Sequence, residues 1–317
     1  IRRPPRSTLD RSSAASDVYK RQAVGSGALD ANTTASANTA VGMDALYTNT
    51  TGSSNTAVGK DALRLNATTS NNTAVGQSAL NVNVASNNTA VGRNALVSNT
   101  SGTGNDALGA TTLTSNTTGS YNVGIGNQAL YDATTGTQNA AFGRLALQNL
   151  TTGSGNTAVG NHAGDGITSG VRNTAVGYQT FAATCATHDS TAVGYHASHS
   201  QTTGAYNVAV GKSALHSNTS GTYQTAVGFY SLVTATTGVE NTAYGAYSGN
   251  SLTTGSYNVI IGKHAGQALT TANQNTILGR YTAAALTTGS SNVALGNHAL
   301  DNCTTGAVSY THLRAHE

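Results

Sequence analysis

The chain has 317 residues, of which only 9% are charged and 5% aromatic, with 37 Gly, two Pro and no Trp. So few large apolar side chains cannot fill two ordinary globular cores, and no apolar run approaches the ~20 residues that a membrane-spanning helix needs. Thr, Asn, Ser and Gly dominate, and they favour strands and turns over long helices. We therefore expect an all-β protein.

The two ends of the chain differ from the rest. Residues 1–22 hold both prolines, six of the fifteen basic residues and no glycine. Codons for Asp17–Gln22 can be chosen so that their reverse complement encodes Val308–Leu313, so both ends resemble translated adaptor sequence from a sequencing library. We predict adaptor-like non-native segments at 1–22 and 308–317, around a repeat domain at 23–307.

Removing these ends changes the charge argument. Eight basic and nine acidic residues remain, and the formal net charge changes from +3 to −1. A basic surface for nucleic acid then has no support in the composition. We expect neither nucleic acid nor a membrane as a partner of this segment.

The middle of the chain is one short repeat. Its unit reads roughly Asn-Thr-Ala-Val-Gly-x-x-Ala-Leu-x-x-x-Thr-Thr-Gly-x-x, and its first glycine recurs every 17 residues, with one step of 16. A unit of this size with many helix breakers predicts a parallel β-solenoid of seventeen 17-residue coils. The repeat glycines are Gly25, Gly42, Gly59, Gly76, Gly92, Gly109, Gly126, Gly143, Gly160, Gly177, Gly194, Gly211, Gly228, Gly245, Gly262, Gly279 and Gly296.

Positions counted from the repeat glycine indicate which side chains face inward. Position −1 is always bulky and −3 is mostly Thr or Val, so we assign this strand face to the interior. Position +4 is Leu in eleven units, and position +7 becomes large where +4 is small, so both also point inward. We expect a buried column at roughly 5 Å spacing, formed by Val41, Val58, Val75 and Val91.

Position −2 is Ala in fourteen of the seventeen units. It lies on the opposite strand face, where a solvated position would not require a small side chain. We predict that this stripe lies at a lateral contact between chains; a crowded corner of the coil is the alternative. The predicted contact residues are Ala40, Ala57, Ala74, Ala90, Ala158, Ala175, Ala192, Ala209 and Ala226.

The strand motif resembles a known family. Asn-Thr-Ala-Val-Gly-x-x-Ala, as in 55–62, resembles the head repeat of YadA-like trimeric autotransporter adhesins, whose own period is somewhat shorter. The longer unit with Thr-Thr-Gly resembles repeat stalks of bacterial and phage tail-fibre-like proteins. The resemblance covers 23–306 and implies a left-handed parallel β-roll, often in a homotrimer, on a cell or virion surface.

Few residues could carry chemistry. Carboxylates recur on neighbouring coils only at Asp44 and Asp61, beside Lys60, so we expect a protein that is not an enzyme and uses no cofactor. One cluster has residue types that suit zinc, although its spacing matches no standard zinc pattern, and a loosely packed polar corner is the alternative. These weak metal candidates are Cys185, His188, His196 and His199.

Two surface features suggest carbohydrate. Six sequons share position +7, where glycosylation would require an outward side chain: Asn32, Asn49, Asn66, Asn99, Asn116 and Asn218. Tyrosines share position +12, as a glycan-stacking surface or a structural corner: Tyr121, Tyr206, Tyr223 and Tyr257. Surface glycans are therefore a candidate partner, beside copies of the chain itself in a homo-oligomer or fibril.

These observations favour a non-enzymatic structural fibre or adhesin segment on a bacterial or phage surface, located outside the cell or on the virion. The alternative is an ice-binding β-solenoid, which needs a flat rank of paired outward Thr. The Thr pair at positions +8 and +9 argues against ice binding, because strand alternation would point the two side chains to opposite faces.

Overall fold

The computed structural model describes residues 21–306 and 312–313, and it confirms the all-β class and the parallel β-solenoid. Each repeat forms one coil, and its strand, at positions −3 to −1, pairs in parallel with the strand of the next coil. The handedness stays a prediction. The strands are β1 (Gln22–Val24), β2 (Thr39–Val41), β3 (Thr56–Val58), β4 (Thr73–Val75), β5 (Thr89–Val91), β6 (Asp106–Leu108), β7 (Val123–Ile125), β8 (Ala140–Phe142), β9 (Thr157–Val159), β10 (Thr174–Val176), β11 (Thr191–Val193), β12 (Val208–Val210), β13 (Thr225–Val227), β14 (Thr242–Tyr244), β15 (Val259–Ile261), β16 (Thr276–Leu278), β17 (Val293–Leu295) and β18 (His312–Leu313).

The sheet continues slightly past both predicted domain boundaries. Gln22 begins β1 and pairs with Thr39, and His312–Leu313 pair with β17 as a further rung. Residues 1–20, 308–311 and 314–317 of the two adaptor-like segments lie outside the described part of the chain, and Arg21 donates to the Asn32 carbonyl at 3.1 Å. Within the described residues, no helix is long and apolar enough to span a membrane.

The 16-residue step leaves the sheet register unbroken. Thr73 pairs with Thr89, as equivalent residues 17 apart pair elsewhere. The coil is one residue shorter at its second corner, where the Ala85 carbonyl accepts hydrogen bonds from Asn72 and Asn83. One corner thus takes up the length change, and the strand ladder is preserved.

The strand faces are the reverse of the sequence-based assignment. Ala40 is fully buried, whereas Val41 is 37% exposed, and the same contrast holds along the sheet. The Val column keeps the predicted register, but its assignment to the interior, for Val41, Val58, Val75 and Val91, was wrong. The alanines predicted at a chain contact all lie in the coil interior: Ala40, Ala57, Ala74, Ala90, Ala158, Ala175, Ala192, Ala209 and Ala226.

The reason is that the coil is thin, so position −2 packs directly against positions +3 and +4. A methyl group added at Gly124 would lie 2.6 Å from Cγ2 of Thr112, the residue at +3 of the preceding coil. Where +4 is Gly249, a methyl there would lie 2.9 Å from Cδ1 of Ile260, which fills the space at −2. Leucines at +4, such as Leu130, are fully buried as predicted. Once Leu at +4 occupies the core, only a side chain as small as that of alanine fits at −2.

Buried asparagines connect successive coils. At position −4, Asn139 accepts the backbone N–H of Asn156 at 3.0 Å and donates to the Gly153 carbonyl across the coil at 2.9 Å. This pattern runs from Asn38 to Asn292, with Ser190 and Gln224 as the substitutions. Such ladders satisfy backbone groups that a thin core would otherwise leave unpaired.

Each coil turns sharply at its repeat glycine. Gly42 has φ +133°, and a methyl added there would lie 2.6 Å from the Gly59 carbonyl carbon and oxygen. Both the backbone conformation and the close stacking of coils therefore require glycine. This agrees with the corner role that the repeat pattern predicts.

Candidate functional site

The predicted metal candidates are not brought together. Cys185 is buried in the coil interior, and burial raises the pKa of its thiol to about 11. His188 lies at another corner, where its Nδ1 accepts the backbone N–H of Val171. His196 and His199 are neighbours, with ring centroids 4.8 Å apart. Within the described residues, no group of three or more His, Cys, Asp or Glu side chains could hold a metal ion.

The sequons at position +7 mostly face inward. Asn32 is half-buried, but the other five are fully buried, and most of them form a second amide ladder: Asn49, Asn66, Asn99, Asn116 and Asn218. For example, Asn116 donates to Oδ1 of Asn99 at 2.8 Å. Glycosylation needs an outward side chain, so the prediction of possible glycosylation is wrong for these five asparagines. Four other sequons have exposed asparagines: Asn71, Asn87, Asn149 and Asn302.

The outward strand face is an almost uncharged surface of apolar and threonine side chains that runs along the whole solenoid. Its −1 column is exposed to partly exposed, and it includes the bulky Leu108, Phe142 and Tyr244. The −3 column beside it is mostly Thr or Val. Asp106 is the only charged residue in β1–β17. The signal in the sequence was the pairing of Ile260 and Ile277 at −2 with Gly249 and Gly266 at +4, which shows that −2 faces the core.

A second surface, formed by positions +1, +2 and +5, carries stacked rings that sequence inspection missed. From Tyr230 the +2 side chains stack coil upon coil: Tyr247 and His264 have ring centroids 4.9 Å apart, as do His264 and Tyr281. The stack ends with His298. Of the +12 tyrosines, Tyr206 and Tyr223 stack at 4.9 Å. The shared +2 position was visible in the sequence, but the rings are spread among Asp, Ser, Gln and Asn in other coils.

The ring stack that begins at Tyr230 does not extend into the preceding coil, and a groove of about 410 Å³ lies there. Position +2 of this coil is Ser213, which is buried, between His196 on the preceding coil and Tyr230 on the next. The groove is lined by Tyr195, His196, Lys212, Ser213, His216, Tyr230 and Val233. No carboxylate belongs to this lining.

The groove holds one fixed cation and two histidines. Lys212 Nζ lies 5.5–5.8 Å from the ring centroids of Tyr195, Phe229 and Tyr230. Burial and the neighbouring His199 lower the pKa of both His196 and His216. The neutral form of both imidazoles is therefore favoured, and the Lys212 ammonium is the permanent positive charge of the groove.

No protein-family model matches this chain, and a comparison with curated proteins finds no significant match.

Proposed function

We propose that this segment is a non-enzymatic scaffold of a surface fibre or adhesin, outside a bacterial cell or on a phage particle. It spans distance and associates side by side with copies of itself. The single observation that carries the proposal is the apolar strand face, continuous over seventeen coils. Sixteen coil steps of ~4.8 Å make this face about 77 Å long.

The occupant of this face is a second copy of the chain. A strip about 77 Å long and about 10 Å wide offers on the order of 800 Å² per partner, which is the size of a standard stable interface. With Asp106 as its only charge, the strip gives a charged ligand nothing to pair with. An identical strip presents the same 17-residue spacing, so two copies match along their full length. The expected assembly is a trimer, from the family resemblance.

Charges placed on the strand face test this proposal. Val58→Lys with Val75→Lys puts two ammonium groups into the contact, and a matched control places the same charges at exposed +9 positions, Thr51→Lys with Thr68→Lys. Light scattering should give the parent and the control a multiple of 31.8 kDa, and the Val58/Val75 variant 31.8 kDa. A monomeric parent, or a Val58/Val75 variant of unchanged mass, would refute the proposed association.

Ice binding is a second candidate, favoured by the threonines at position −3. Thr39, Thr56, Thr73 and Thr89 lie in one outward rank on consecutive coils, and each forms the first residue of its strand. The threonines at positions +8 and +9 do not form such a rank, because the +9 side chains are exposed whereas the +8 side chains are half-buried and their hydroxyls donate to carbonyls of the next coil.

Thermal hysteresis distinguishes the two functions. An ice-binding chain would be a monomer that lowers the freezing point below the melting point, and Thr56→Lys would abolish the effect. A side-by-side assembly covers the same face, so the scaffold proposal predicts no hysteresis for the assembled protein.

A further inference from the structure

The coil whose +2 residue is Ser213 forms a slot with defined walls. The preceding coil contributes Tyr195 and His196, and the next coil contributes Tyr230 and Val233. Ser213 forms the floor between them. The slot lies on the surface of positions +1, +2 and +5, and none of its lining residues belongs to a strand. A ligand there would leave side-by-side association free to occur.

The width of the slot follows from the coil repeat. The flanking +2 rings are two coil steps, about 9.6 Å, apart. A flat ring in contact with both would need them only about 7–8 Å apart, since carbon atoms pack at 3.5–4.0 Å. The surplus of about 2 Å suits a puckered pyranose, whose axial hydrogens project from both faces. The volume of about 410 Å³ also lies within the range of small-ligand sites.

The chemistry of the walls favours an anionic sugar. Aromatic ring faces pack against the apolar C–H faces of a pyranose. The Lys212 ammonium, held beside three aromatic rings, can pair with a carboxylate or sulfate. Ser213 and His216 offer hydrogen-bonding groups for sugar hydroxyls, and no carboxylate in the lining opposes an anion.

We propose that the slot at Ser213 binds one pyranose ring that carries a carboxylate or sulfate, as part of an anionic saccharide. This binding activity goes beyond the proposed scaffold function and uses a different face. The two proposals therefore fail separately: slot variants alter saccharide binding and leave the oligomer mass unchanged.

Filling the slot is the decisive perturbation. Ser213→Tyr completes the ring stack, and Tyr is compatible with this position because Tyr230 and Tyr247 have the same positive φ. Two probes are titrated by calorimetry: a hexasaccharide of alternating glucuronate and N-acetylglucosamine, and a neutral hexasaccharide of N-acetylglucosamine. The parent should bind the glucuronate probe at least tenfold more tightly than the neutral one, and Ser213→Tyr should abolish binding while unfolding at the same or a higher temperature.

Two further variants keep the proposal open to refutation. Ser213→Gln, which copies the residue type at Gln128 and Gln179, fills the slot in a second way should the Tyr variant not fold. Lys212→Gln should weaken binding of the glucuronate probe about tenfold, whereas Lys263→Gln, in the same +1 column beside an uninterrupted ring stack, should leave it unchanged. No saturable binding by the parent, equal binding of both probes, or unaltered binding by the slot-filling variants would overturn the proposal.

Discussion

Replacing one asparagine of the position −4 ladder by alanine should lower the unfolding free energy of the solenoid by more than the loss of one small side chain suggests. In Asn139→Ala, the backbone N–H of Asn156 and the Gly153 carbonyl lose the partners they had at 3.0 and 2.9 Å. The position is 1% exposed, so water does not readily replace the lost amide. Each buried group left unsatisfied costs ~1–3 kcal/mol, so we expect a loss of roughly 2–6 kcal/mol in unfolding free energy.

Urea denaturation measures this loss, and hydrogen exchange locates it at the Asn156 amide. Gln138→Ala is the matched control, because Gln138 is exposed and Ala37 has the same backbone conformation at the equivalent position. The control should lie within about 0.5 kcal/mol of the parent. A loss below 1 kcal/mol in Asn139→Ala, or unchanged exchange at Asn156, would refute the structural role of the ladder.

The remaining predictions concern strand orientation and pH. Ala158→Glu buries a carboxylate without a partner and should prevent folding, whereas Val159→Glu, one residue on and on the outward face, should keep the folded circular dichroism spectrum of the parent. Equal effects of the two variants would contradict the assigned faces. His196 and His216 have a lowered pKa in the folded state, so unfolding free energy should be constant above pH about 6.5 and decrease as the pH falls below it. His216→Asn should reduce this decrease in urea titrations from pH 8 to 5, and an identical pH profile would contradict the pKa assignment.

The repeat period and the corner glycines could be predicted from the sequence because both are backbone requirements. A glycine with φ near +130° recurs in every coil, and every step but one is 17 residues, although the side chains vary. The +4 and +7 core positions could also be predicted, because they exchange volume within one chain. Leu252, for example, is buried where +4 is Gly249.

The strand faces were assigned wrongly because bulky strand residues face inward only where no other side chains already fill the core. Here Leu at +4 and Asn at −4 and +7 already fill a narrow coil, so the strand can contribute only a methyl group. The burial of Asn116 was missed for a related reason. Buried amides usually signal a cost, but here the Asn116 amide donates to the Gly119 carbonyl of its own coil and to Oδ1 of Asn99 on the preceding coil.

The candidate slot could not be predicted, because it depends on a residue that differs from its neighbours. Ser213 is unremarkable alone, and it matters only between His196 and Tyr230 in a stack whose spacing the fold sets. Likewise, Lys212 becomes a fixed cation through rings on the coils above and below it.

Size-exclusion chromatography with light scattering and small-angle X-ray scattering tests the central claim, the side-by-side association of solenoid rods, most directly. Side-by-side association predicts a mass that is a multiple of 31.8 kDa with a maximum dimension near that of one chain, whose seventeen coils span about 77 Å. A mass of 31.8 kDa would contradict the claim, and so would a particle that lengthens in proportion to its mass.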